Sequence, residues 1–170
     1  MKVEIRLHKL SDAKRFYEIL TDKEFQKYGK RIGMNMGVNS VKEEEKFLKQ
    51  SIINTKRGYT YGYAIIVDKK VAGGIDIKIN QHRKYIGEIG YFLDKNLWKK
   101  GIVTEALNQM SELGLKKYRL KRLEVVINPI NKASIRVAEK SGYEYEGIMK
   151  NAILSKDGRL IKGVLLSKCK

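Results

Sequence analysis

A chain of 170 residues is the size of one domain with a sizeable core. Its 42% hydrophobic and 32% charged residues are ordinary for a globular protein, and apolar runs such as Ala64–Val67 are too short to cross a membrane. With 36 Lys and Arg against 19 Asp and Glu the net charge is +17, which suits phosphates, nucleic acid or acidic proteins as partners, although a lysine-rich composition bias accounts for it equally well.

Cys169 stands alone, so no disulfide forms within the chain. His8 and His82 lie far apart without a Cys/His cluster, and no metal site is expected. The N-terminal run Met1–Arg6 lacks the apolar core of a signal peptide, so a cytoplasmic location is expected. The basic residues are scattered rather than gathered into a nucleic-acid tail.

Residues 3–10 alternate as a strand, with Val3, Ile5 and Leu7 against Glu4, Arg6 and His8. Ser11 and Asp12 offer a cap for a helix carrying Ala13, Phe16, Tyr17 and Leu20. Residues 21–40, with Gly29, Gly33 and Gly37, read as a loop with at most a short helix. Val41 to about Thr55 reads as a helix with Phe47, Leu48 and Ile52 as its stripe and Glu43, Glu44 and Glu45 as a solvated first turn. Strands are expected over 59–67 and 71–79, where Gly73-Gly74 marks a bulge or a close backbone approach. Ile86–Leu93 is the next strand, and a helix follows from about Val103 to Tyr118. Arg122–Ile127 is a compact strand ended by Pro129. Asn131 opens a helix over Lys132–Lys140, closed by Ser141-Gly142. Two strands, 143–154 and 160–167, turn around Asp157-Gly158.

One junction stands out. Leu97-Trp98-Lys99-Lys100-Gly101-Ile102-Val103-Thr104-Glu105-Ala106 follows a strand and begins a helix. A helix start presents N–H groups without intrahelical acceptors and carries partial positive charge, so an anionic group, phosphate above all, fits there. Neither a Walker loop nor a Rossmann fingerprint is present.

The order of elements, the loop Trp98-Lys99-Lys100-Gly101-Ile102-Val103, the following Thr104-Glu105-Ala106, Asn131-x-x-Ser134 and Glu139-Lys140-Ser141-Gly142-Tyr143 together resemble the GNAT superfamily of N-acetyltransferases. More narrowly they resemble its Rim-like branch, whose members acetylate ribosomal-protein N-termini. The likeness spans the chain and is strongest over 86–150. It implies a single N-acetyltransferase domain over 1–170, with an α+β, three-layer fold and a mixed central sheet whose two central strands splay between helices. The loop departs from the family pattern at two places. Lys99 replaces a glycine, which requires that its backbone avoid positive φ, and Val103 replaces a small residue, adding bulk beside the pyrophosphate path.

The resemblance implies acetyl-CoA as donor, without a metal. Its pyrophosphate would rest on the N–H groups of Lys99, Lys100, Gly101, Ile102, Val103 and Thr104. Its pantetheine amides would pair with backbone at Tyr91, Phe92 and Leu93, and Asn131 would bond the arm near the thiol. Glu88 is the candidate base, acting through water, and Ser134 the hydroxyl near the sulfur. The tyrosine that many members carry seven residues after the asparagine is Ala138 here, so the general acid is missing; Tyr143 is a nearby hydroxyl that core packing accounts for.

The acceptor is expected to be a primary amine, foremost the α-amine of an acidic or ribosomal protein or of a peptide, held by residues 21–58 and the hairpin 143–167. An α-amine of pKa about 7.7–8.0 costs about 1 kcal/mol to deprotonate at pH 7, a lysine of about 10.4 between 4 and 5. The alternatives are a small-molecule amine (a polyamine, an antibiotic or an amino acid) and, in another class, a non-catalytic basic module for RNA or the ribosome. A homodimer stays open.

Overall fold

The computed structural model describes residues 1–32, 38–155 and 157–170. Its strands and helices follow the expected order with one addition. β1 is Val3–Leu7, α1 Ala13–Thr21, α2 Lys23–Arg31 and α3 Val41–Lys56. β2 (Thr60–Val67), β3 (Lys70–Ile79) and β4 (Ile86–Leu93) form a meander. Then come α4 (Ile102–Glu112), β5 (Arg122–Ile127), α5 (Lys132–Lys140), β6 (Glu144–Leu154) and β7 (Leu160–Cys169).

The addition is α2, in a stretch where the sequence reads mostly as loop. Asp22 starts it by accepting from the N–H groups of Glu24 and Phe25, both at 3.0 Å. Phe25 and Gly29 are its buried positions and the buried Ile32 follows as its C-cap, at a helical spacing that the small Gly29 disguises. Gly33 and Gly37 lie outside the described residues.

The strands form one mixed sheet in the order β1-β2-β3-β4-β5-β7-β6. Only β4 and β5 run parallel among its pairs, the other five being antiparallel. Helices cover both faces. Ala106, Leu107 and Met110 of α4 pack with Ile75, Ile77, Leu123 and Val125. On the other face Phe16 of α1 and Leu48 of α3 pack with Ala64, Ile66 and Phe92. Among the described residues no helix is long and apolar enough to cross a membrane.

Several local readings are corrected. Glu44 is not solvated: it is 3% exposed, facing the sheet beside Leu48 and Ser51, and burial raises its carboxyl above the usual range. Phe47, assigned to the stripe, is 60% exposed. The helix expected to run to Tyr118 is α-helical only to Glu112 and widens to a π turn over Leu113–Lys117. A Cβ on Gly114 would stand 3.0 Å from Ile77 and Leu123, so the glycine lets this turn sit close on the sheet.

Gly73 and Gly74 meet both expectations. The β2–β3 register shifts between Ile65 and Ile66, and a Cβ on Gly73 would lie 2.2 Å from the Phe92 carbonyl oxygen. This close approach holds β4 against β3 where β4 parts from β5.

That parting positions the site. β4 and β5 pair at three positions, Ile86 with Arg122, Gly87 with Leu123 and Glu88 with Glu124. Beyond Glu88, β4 stays with β3 as far as Leu93, and beyond Glu124, β5 stays with β7 as far as Ile127. The facing edges diverge, leaving a wedge lined by backbone.

Candidate functional site

The wedge opens towards the start of α4. Asp94 follows β4 and caps a short turn by accepting from the Asn96 N–H at 2.9 Å. Trp98 folds back, its indole N–H donating to the Leu93 carbonyl at 2.8 Å. Its ring packs against Phe25 and Tyr28 of α2, with centroids 6.2 and 4.9 Å away.

Gly101 has φ +75°, and a Cβ there would meet nothing within 4 Å. The glycine is needed for backbone conformation rather than for space. Lys99 has φ +61°, contrary to the requirement read from the sequence. A lysine in the left-handed region costs about 1–2 kcal/mol, which the loop absorbs.

No side chain caps α4, and its first closing bond runs from the Glu105 N–H to the Gly101 carbonyl at 3.1 Å. The N–H groups of Ile102, Val103 and Thr104 therefore lack intrahelical acceptors. The side chain of Ile102 is buried and that of Val103 packs against the main core, so Val103 does not crowd the loop as expected. Lys100 bends over the loop, its Nζ donating to the Asn96 carbonyl at 3.0 Å. A depression of about 490 Å³ beside the helix start is lined by Met1, Val3, Lys100, Gly101, Ile102 and Glu105.

A chain of contacts crosses the mouth of the wedge. The Tyr91 hydroxyl on β4 donates to the Ser134 carbonyl of α5 at 3.3 Å, and burial pushes its pKa up to about 12. Asn131 caps α5, its Oδ1 accepting from the Ser134 N–H at 3.2 Å. The same oxygen accepts from the Tyr28 hydroxyl at 2.9 Å. Tyr28 thus stands between Trp98, after β4, and Asn131, after β5. Burial raises its pKa, with the nearby Arg31 acting against the shift. The Asn128 amide, donating to the Ile32 carbonyl at 2.8 Å, ties the end of α2 to the same loop.

Of the strand residues, Tyr91 borders the wedge, and Phe92 turns to the opposite face against Phe16, edge to ring at 5.1 Å. The Leu93 carbonyl is already occupied by Trp98. The Ser134 side chain lies within hydrogen-bonding reach of the Tyr91 hydroxyl, where it works against the effect of burial, whereas Tyr143 is buried with its hydroxyl on Ser111 at 2.9 Å.

Glu88 occupies the last paired position before the strands part. It shares a sheet face with Phe92 and so lies on the side away from α4. Partial desolvation raises its carboxyl, Lys78 opposes this, and Glu124 adds to it. Asp76, on β3 opposite Gly90, faces the same side, and burial followed by repulsion from Glu88 lifts it to about 6.

Tyr28 and Asp76 are the residues that sequence reasoning missed. The Phe25-Gly29-Ile32 spacing signals the helix that carries Tyr28. Strand alternation through Asp76 and Lys78, opposite Gly90 and Glu88, signals the carboxylate pair.

Residues 2–144 match the family model described as an acetyltransferase (GNAT) domain. The chain belongs to the GNAT acetyltransferase family. An uncharacterised N-acetyltransferase, p20, of Bacillus licheniformis is 27% identical over 172 residues, spanning 99% of this chain and 93% of p20. The ribosomal-protein-serine acetyltransferase of Escherichia coli is 26% identical over 115 residues, 68% of this chain and 64% of that protein. Among solved structures, the microcin C7 self-immunity acetyltransferase MccE, in complex with acetyl-CoA and AMP, superposes with a TM-score of 0.88. The identity there is 23%, covering 99% of this chain and 93% of MccE. This GNAT protein is an N-acetyltransferase with acetyl-CoA as its donor. The free N–H groups at the start of α4 and the unpaired edges of β4 and β5 fit a ligand built of phosphates and an amide-bearing arm.

Proposed function

We propose that this N-acetyltransferase acetylates the α-amine of a protein or peptide N-terminus, an acidic or ribosomal protein above all. The observation that carries this reading is the position of Glu88, at the point where β4 and β5 part and on the face away from α4. An amine approaching from that face meets a carboxylate before it meets the wedge.

The donor supplies an activated acyl carbonyl; the chain positions it and handles protons. Backbone N–H groups from Lys99 to Thr104 hold the pyrophosphate, and the Tyr91–Phe92 backbone edge pairs with the amides of the arm. Glu88, directly or through water, takes the proton the attacking amine releases. Asp76 at about 6 sits beside it as a second proton acceptor. Transfer from an α-amine to a carboxylate of that pKa is uphill by about 2.5 kcal/mol, and from a lysine by about 6. The site therefore favours an α-amine. At the sulfur, where Ala138 supplies no hydroxyl, the candidates are Tyr28, whose hydroxyl donates to Asn131, and Ser134, whose backbone N–H donates to the same oxygen. Tyr28 is the stronger acid of the two, since a phenol titrates near 10.

The likeness to the ribosomal-protein-serine acetyltransferase and the net charge of +17 support an anionic or ribosomal acceptor over a cationic one. The test uses labelled acetyl-CoA with an acidic peptide bearing a free N-terminus, the same peptide N-blocked but with a lysine, spermidine and an aminoglycoside. The free N-terminus is expected to be acetylated at least tenfold more efficiently than the others. A preference for spermidine or the aminoglycoside would replace this reading with a small-molecule acetyltransferase.

A further inference from the structure

The end of the sheet opposite the wedge has its own chemistry. Four chain segments meet there: 56–59, 80–85, 116–121 and 168–170. Backbone bonds join them to the strand ends. The Ile79 N–H donates to the Tyr59 carbonyl at 2.9 Å, the Lys121 N–H to that of Tyr85 at 2.9 Å, and the Lys170 N–H to that of Lys121 at 3.1 Å. These 19 residues contain ten Lys and Arg and no Asp or Glu, while the other 151 contain 26 Lys and Arg against 19 Asp and Glu. A composition bias would spread the excess along the chain; this concentration is positional.

Nine of the ten cations are exposed. The tenth, Lys168, donates to the Ser141 carbonyl at 2.8 Å. Among the described residues only Lys116 of the nine forms an ion pair, with Glu112 at 2.7 Å. The nearest carboxylates of the central strands, Glu88 and Glu124, sit further along β4 and β5, and Glu124 is held by Arg122 at 2.6 Å. Two tyrosines stand open among the cations, Tyr59 at 47% and Tyr85 at 53% exposure.

We infer that this basic end binds single-stranded RNA, with its lysines and arginines on successive phosphates and Tyr59 and Tyr85 stacking on bases. The five strand ends β2, β3, β4, β5 and β7 span about 19 Å at about 4.8 Å per strand, the rise of five or six stacked nucleotides. Membrane recognition gathers its cations in one juxtamembrane or amphipathic segment, whereas here they are divided among four. Polyanion binding at this end leaves the wedge, about 26 Å away along the eight residues of β4, turned towards an acceptor. The inference does not depend on which amine is acetylated.

The test is fluorescence anisotropy of a labelled 20-nucleotide RNA with the full chain between about 50 and 200 mM salt. Three to six phosphate contacts predict a slope of log K against log salt of about −2 to −4. In Arg83→Gln/Lys84→Gln/Arg119→Gln/Lys121→Gln the slope is expected to flatten by about 2–3, with affinity at least tenfold lower at 100 mM salt. Tyr85→Ala is expected to weaken binding at least fivefold with the slope unchanged, because stacking carries no charge. Both variants are expected to bind acetyl-CoA with the parent affinity by calorimetry, which reports that they are folded. A matched set at exposed sites on α1 and α3, Lys14→Gln/Lys42→Gln/Lys46→Gln/Lys49→Gln, is expected to keep the parent slope. Equal loss in the two quadruple variants, absence of RNA binding, or binding to phosphatidylserine vesicles in its place would each overturn the assignment.

Discussion

The same two strands, β4 and β5, are bonded at one end and parted at the other, and the two ends present opposite kinds of recognition. At the bonded end the backbone is paired and the side chains offer charge: Arg83, Lys84, Arg119 and Lys121 stand in solvent around closed ladders. At the parted end the side chains turn inward and the backbone is what remains: Ile102 and Val103 pack into the core while their N–H groups lack intrahelical acceptors. Charge on long side chains tolerates substitution and is screened by salt, whereas backbone recognition depends on a few dihedral angles. The parted end should therefore fail sharply when one residue changes, and the bonded end gradually.

The largest expected effect is at Gly101. Gly101→Asp places a carboxylate beside the phosphate site on a residue at φ +75°, and acetyl-CoA affinity is expected to fall at least a hundredfold by calorimetry. Retained affinity would show that the α4 start does not hold the phosphates.

Glu88→Gln comes next. It should lower kcat by about 10²-fold with acetyl-CoA affinity intact, and the acid limb of the rate profile should change. A profile identical to the parent would move the base elsewhere, with Asp76 the alternative.

Tyr28→Phe removes the hydroxyl that donates to Asn131 while keeping the ring against Trp98. About tenfold lower kcat with an unchanged KM for acetyl-CoA is expected. If KM alone rose, Tyr28 would be a wall of the wedge and not a proton donor.

Asp76→Asn is a stability prediction. The carboxyl of Asp76 is raised from 3.8 to about 6 by burial and by Glu88, so its ionised form opposes folding. The substitution should raise Tm above about pH 6, where the parent is charged, and the gain should vanish below about pH 4, where the parent is protonated in both states. A pH-independent change in Tm would mean that packing rather than charge is altered.

The smallest effect is expected for Lys99→Gly. Releasing a left-handed lysine should stabilise the loop by no more than about 1 kcal/mol, because glycine also gains freedom in the unfolded chain. A loss of acetyl-CoA affinity above a few-fold would show instead that the Lys99 ammonium contacts phosphate.

What could be read from the sequence followed the range of the interactions involved. β2, β3, β4 and β5 announce themselves by short periodic runs between turn residues, and α5 by Asn131 at one end and Gly142, at φ +77°, at the other. These are interactions among neighbours in the chain. α2 was hidden because one of its buried positions is Gly29, which counts as a breaker in a sequence and as a small contact residue in a packed helix. Glu44 was misplaced for a related reason: helix charge preferences put it in water, and the packing of α3 against the sheet took it out.

The sequence by itself determined the order of the elements other than α2, the loop centred on Gly101 and the helix that starts there, because dihedral preference, capping and hydrophobic period act over a few residues. Only the tertiary structure decided that Tyr28 meets Asn131, 103 residues away, that Asp76 lies beside Glu88, and that four basic segments close one end of the sheet. Those juxtapositions depend on strand register and on the divergence of β4 from β5, which burial of the whole core sets and no local pattern records.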